Sequence, residues 1–69
     1  MFTLRIEFTK HAKEQMIDRG FSRKEIEEGL KRGTKIPQNG KFISVYSYYK
    51  IVYKKIKDVY YIITLMYRW

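Results

Sequence analysis

From residue 1 to residue 9 apolar and polar side chains alternate without a break. Phe2, Leu4, Ile6 and Phe8 fall on one face, and Thr3, Arg5, Glu7 and Thr9 on the other. That period of two predicts a half-buried β-strand. The period then lengthens. Thr9 is placed to cap a helix running to about Arg19, with Ala12 and Met16 turned inward and Gly20 free to take the left-handed conformation that closes it. Ser22 and Glu25 have capping-box spacing and Phe21 can staple onto Ile26, which predicts a second helix over 22–32. Ile26 and Leu30 share a face of that helix, Gly29 between them permits another element to come close, and Gly33 ends it.

Beyond Gly33 the helical spacing disappears. Pro37, Gln38, Asn39 and Gly40 read as a loop and turn, and from Lys41 onward β-branched and aromatic residues dominate. Strands are expected at about 41–46, 48–54 and 59–68, with a turn through Lys55 to Asp58. The last of these is apolar on both sides, Val59, Tyr61, Ile63 and Leu65 against Tyr60, Ile62 and Met66, so it belongs in the interior of a sheet. No linker or repeat interrupts the pattern. The expected architecture is a single α+β domain over 1–69, in the order β-α-α-β-β-β, with two N-terminal helices packed on one antiparallel sheet.

Composition sharpens this picture at three points. With 69 residues and no Cys, the chain buries only about 60% of its unfolded surface and has no disulfide, thiolate zinc site or thiol nucleophile to call on. Aromatics at 17% supply core area instead. Residues 1–30 balance six basic groups with six acidic ones, whereas residues 31–69 carry nine basic groups against Asp58 alone, so the entire net charge of +8 lies in the second half. A field that is one-sided in this way attracts polyanions. The alternating start contains no continuous apolar run, which predicts a cytoplasmic chain with no signal peptide and no membrane partner.

The candidate chemistry follows the charge. Lys50, Lys54, Lys55 and Lys57 are interleaved with Tyr48, Tyr49, Tyr53, Tyr60 and Tyr61. Lysines neutralise phosphates and tyrosines stack unpaired bases, so these lysines, Tyr53 and Arg68 are expected to bind RNA. His11 is the only histidine, and it lines up with Gln15 and Arg19 at i, i+4 and i+8. An imidazole near a guanidinium suits proton transfer beside a phosphate. Thr64 interrupts the apolar final strand, and a hydroxyl there needs a partner. One His without Cys does not build a metal shell, and no cofactor motif is present. Glycine-rich phosphate loops, Ser/His/Asp sets and paired-carboxylate motifs are absent from the sequence, which sets aside hydrolases of those types.

The run from Phe8 to Ser22, with His11-Ala12, Gln15-Met16 and Arg19-Gly20, followed by Glu25, Gly33 and the Ile63-Thr64-Leu65 strand, resembles domain-of-unknown-function family 4258. Its signature is His-Ala, then Arg-Met, then Arg-Gly before a second helix, and Gln15 stands where the family often has Arg. The family is related to RelE-like and colicin-like ribonuclease toxins. The resemblance implies a RelE/colicin-like fold, metal-independent endoribonuclease activity, and His11, Arg19 and Thr64 as catalytic residues. It also implies a protein antitoxin as partner. A non-catalytic RNA-binding module and a protein-interaction domain remain alternative readings.

Overall fold

In a computed structural model, which describes residues 5–68, two helices lie on one face of a five-stranded sheet. The elements are β1 Arg5–Phe8, α1 Lys10–Asp18, α2 Arg23–Arg32, β2 Thr34–Gln38, β3 Lys41–Tyr46, β4 Tyr49–Ile56 and β5 Val59–Tyr67. Of the alternating start, Phe2 and Leu4 lie outside the described residues. Local sequence sets both helix starts. The Thr9 hydroxyl accepts from the Ala12 N–H, while Ser22 and Glu25 form the reciprocal capping box. Gly20, at φ +73°, closes α1.

The strand order is β1-β5-β4-β3-β2, so β5 is interior, as its doubly apolar sequence predicts. Three pairings are antiparallel, but β1 runs parallel to β5, which makes the sheet mixed. Thr34–Gln38 is a strand and not the expected loop. Pro37 is tolerated there because β2 is a sheet edge, and a tight turn at Asn39 and Gly40, both at positive φ, returns the chain into β3. The strict alternation expected along β5 also fails. Its pairing slips from Val52↔Thr64 to Tyr53↔Ile62, and this bulge brings Ile62 and Leu65, three residues apart, into the same core.

That core consists of Ile6, Ala12, Phe21, Ile26, Leu30, Tyr49, Ile51, Tyr53, Ile62 and Leu65, with Met16 packed against it. Gly29 lets α2 lie close to β4, since a Cβ there would stand 2.7 Å from the Ile51 Cδ1. The Ser44 hydroxyl, fully buried, donates to the Gly29 carbonyl at 2.5 Å. Among the described residues the ion pair of Arg23 with Glu27, at 3.5 Å, is largely solvent-exposed and contributes about 0.3–0.5 kcal/mol. A single buried aliphatic side chain outweighs it at about 1.5–3 kcal/mol, so packing holds the fold. No helix among the described residues is long and apolar enough to cross a membrane.

Candidate nucleic-acid interface

Both helices lie behind the sheet, which leaves its other face open. Along β4, Tyr49, Ile51 and Tyr53 are buried against the helices, so Lys50, Val52 and Lys54 point the opposite way. Residues paired across strands share a face. The register therefore groups Thr34, Val45, Lys50 and Met66 in one row and Ile36, Ile43, Val52 and Thr64 in the next. Lys54, Tyr61 and Glu7 form a third row, with Gln38 and Lys41 toward β2. A shallow depression of about 450 Å³ opens on this face between Thr34, Ile36, Val45, Lys50 and Arg68. The Arg68 guanidinium is held over the end of the sheet by donating to the Ser47 carbonyl at 3.1 Å.

Of the RNA-binding residues expected from sequence, Lys50, Lys54 and Arg68 share this open face. The others are dispersed. Lys57, at φ 57°, forms the tip of the β4–β5 turn. Lys55 faces the helix side, where its ammonium lies 5.4 Å from the centre of the Tyr60 ring. Tyr53 corrects the sequence reading: it is 4% exposed, stacks on Phe42 at 5.7 Å, and burial raises its hydroxyl pKa. A base can stack on it only by displacing the core. Tyr61, 38% exposed and paired with Lys54, is the tyrosine that stands among the open-face cations. Lys41 joins them. Alternation outward from Lys50 is the signal that would have separated Tyr61 from Tyr53, since cross-strand partners of outward residues are themselves outward.

The stripe on α1 has a different setting. β1 ends at Phe8, and beyond that point α1 takes the place of a pairing strand along the edge of β5. The Thr9 hydroxyl donates to the Ile63 carbonyl at 3.1 Å, and the Thr9 N–H to the Ile62 carbonyl at 3.0 Å. The Gln15 Oε1 accepts from the Thr64 hydroxyl at 2.5 Å and from the Leu65 N–H at 2.9 Å. The Arg19 guanidinium donates to the Leu65 carbonyl at 2.8 Å and lies 5.8 Å from the Tyr67 ring centre. Gln15, Arg19 and Thr64 are thus brought together, and each is part of the clamp that satisfies the β5 backbone. Sequence singled out the three positions without this mutual bonding. His11 stands exposed at the start of the same helix, roughly 12 Å along the axis from Arg19. Among the described residues, no group of three or more His, Cys, Asp or Glu side chains is arranged to hold a metal ion.

The arrangement of strands and helices has a counterpart among solved structures. A chain in the crystal structure of the RelBE2 toxin–antitoxin complex from Mycobacterium tuberculosis superposes with a TM-score of 0.63 at 16% identity, over 97% of this chain and 100% of that one. At that identity the likeness is one of fold, and it bears out the RelE-like architecture expected from the sequence. No curated protein matches the chain in sequence. Residues 8–67 match the family described as a domain of unknown function, DUF4258, a span that includes both helices, β2 to β5 and the clamp on β5. The chain therefore belongs to the DUF4258 family.

Proposed function

We propose that this protein is a toxin-like, RNA-acting domain that takes RNA on the open face of its sheet. The observation that carries this reading is the placement of Lys41, Lys50, Lys54, Arg68 and Tyr61 on one solvent-facing surface, with Glu7 the acidic residue in their rows. Cations spaced along a sheet neutralise successive phosphates, and an exposed ring among them stacks a base. Single-stranded or folded RNA suits this surface better than duplex DNA, because both helices lie behind the sheet and neither can enter a major groove beside these cations. The fold shared with a chain of a toxin–antitoxin complex supports the toxin-like assignment.

Cleavage in this reading is metal-independent. The substrate 2′-oxygen attacks the adjacent phosphorus as the 5′-oxygen leaves; His11 takes the 2′-hydroxyl proton or protonates the 5′-oxygen, and water completes the other transfer. Arg19 stabilises the phosphate with the guanidinium donors that Leu65 does not use, and Thr64, held by Gln15 one turn before Arg19 on α1, supplies a hydroxyl from β5. RNA leaving the open face over the β5 edge passes α1, where these groups stand. Reversing Lys50, Lys54 and Arg68 to Glu together should abolish RNA binding, measured by filter retention at low salt, whereas reversing Lys13 and Lys24 should cost far less. Equal losses from both sets would remove the open face from consideration.

A protein partner on the same face is the second reading. Ile43, Val45, Val52 and Met66 remain only half-buried there, and Ile36 is 45% exposed. An antitoxin-like segment that is apolar along one side and acidic at its margins would cover these rows and pair with the lysines. A triple reversal that leaves RNA binding intact would favour it.

A further inference from the structure

The depression on the open face lies where the sheet ends. β2 begins at Thr34, β3 stops at Tyr46, β4 starts at Tyr49 and β5 finishes at Tyr67, so the row of Thr34, Val45, Lys50 and Met66 borders the β3–β4 turn. Ile36 and Val45 give the depression an apolar floor, and Thr34, Lys50 and Arg68 supply its polar groups. Among the described residues it is lined by no acid, and neither Lys50 nor Arg68 forms an ion pair, although Lys50 is half-buried. Arg68 is fixed in place. Its guanidinium spends one of five donors on the Ser47 carbonyl at 3.1 Å, and its backbone N–H donates to the Tyr48 carbonyl at 2.9 Å. Lys54, with Glu7 in its row, stands four residues along β4, roughly 13 Å away. Lys50 and Arg68 therefore form a cationic pair of their own.

We propose that this depression binds a terminal phosphomonoester, the phosphate that ends an RNA chain, with Lys50, Arg68 and the Thr34 hydroxyl on its oxygens and the end nucleotide over Ile36 and Val45. The inference rests on the open face being the RNA surface, and it adds where on that face the chain ends. A phosphodiester linkage carries one negative charge, whereas a terminal phosphate, with a second pKa of about 6, is close to a dianion at neutral pH. Two cations without carboxylate partners on one depression match that dianion. A guanidinium also presents its donors as a fork that fits two phosphate oxygens at once. An internal linkage needs room for chain on both sides, but here the strands give out toward Arg68 and β2 is the sheet edge. A chain end needs room on one side alone, along β4 toward Lys54. The end has two sources, a 5′-phosphate or a 3′-phosphate.

The test is binding of the full chain, at low salt, to one 2′-O-methyl RNA decamer, which lacks the hydroxyl needed for cleavage. The decamer carries in turn hydroxyls at both ends, a 5′-phosphate, or a 3′-phosphate, and competition against a labelled oligomer ranks the three. A phosphorylated form should bind about five- to tenfold more tightly than the hydroxyl-ended one, the range expected of two partly exposed charge pairs. Preference for one phosphorylated end identifies the chain polarity, and equal preference for both shows that the dianion alone is read. Lys50→Gln and Arg68→Gln should each shrink the preference toward unity, Arg68→Lys should keep part of it, and Lys54→Gln should weaken all three oligomers alike with the ratio intact. Circular dichroism melts report that the variants remain folded. Equal affinity for the three ends, or a preference that neither Lys50→Gln nor Arg68→Gln alters, would overturn the proposal and leave the RNA surface standing. Failure of all three oligomers to bind would count against that surface itself and take the proposal with it.

Discussion

Gln15 illustrates how one side chain can be fixed by the donors around it. Its Oε1 serves the Thr64 hydroxyl and the Leu65 N–H together, and both require an acceptor. An arginine has five donors and no acceptor. Gln15→Arg should therefore destabilise the protein by about 1–3 kcal/mol, the cost of leaving buried donors unpaired. Gln15→Glu, which keeps the acceptor, should cost less, and urea unfolding of the two variants separates them. Tyr49 makes a second residue-scale prediction. Its hydroxyl pKa is raised from 10.0 to about 12 in the fold, so the folded state keeps a proton that the unfolded chain loses. The associated stability is complete below pH 10 and is lost as pH rises toward 12, a difference of roughly 3 kcal/mol for a shift of this size. Tyr49→Phe should flatten that alkaline decline in thermal melts, at the expense of the bond to the Glu25 carbonyl.

Among the elements, the helices were legible and the sheet only in part. Ser22, Glu25 and Gly33 act within a few residues of one another, so the bounds of α2 follow from chemistry that the sequence displays directly. Ser22→Ala should cost about 1 kcal/mol by removing the acceptor for the Glu25 N–H, seen as a lower urea midpoint with an unchanged slope. β2 escaped because every one of its five residues is exposed and it contains Pro37, so it shows neither alternation nor a strand-like composition. The bulge in β5 escaped for a different reason. It is set by pairing with β4 and by the bond from Thr64 to Gln15, both distant in sequence. The same distance hid Tyr53, whose burial depends on Phe42 and Tyr60 arriving from neighbouring strands. On the candidate interface, Lys50, Lys54 and Arg68, singled out by their charge, share the open face, while telling the exposed Tyr61 from the buried Tyr53 needed the register.

At the scale of the whole molecule, helices on one side complete the core, and the sheet turns Lys41, Lys50, Lys54 and Arg68 to the other. If about four of those cations meet phosphates of single-stranded RNA, log K should fall against log salt with a slope near −3, about 0.7 for each contact. The catalytic reading adds a sharper expectation, because it requires RNA held on the open face to be cut by groups on α1. Cleavage should continue in the presence of chelator and leave a 2′,3′-cyclic phosphate with a free 5′-hydroxyl. His11→Ala should reduce the rate by roughly 100-fold or more through loss of proton transfer, with folding and RNA binding preserved, since His11 is exposed and outside the clamp on β5. Arg19→Ala should lower the rate to a similar extent and also lower the melting temperature, because the same guanidinium bonds the Leu65 carbonyl. Thr64→Val, nearly isosteric, should cost less in rate than either. The pairing of effects is what distinguishes the roles: rate alone at His11, rate and stability at Arg19. Unchanged cleavage in His11→Ala would exclude the imidazole, and no cleavage by the parent across varied RNAs, with the salt-dependent binding intact, would identify a binding module.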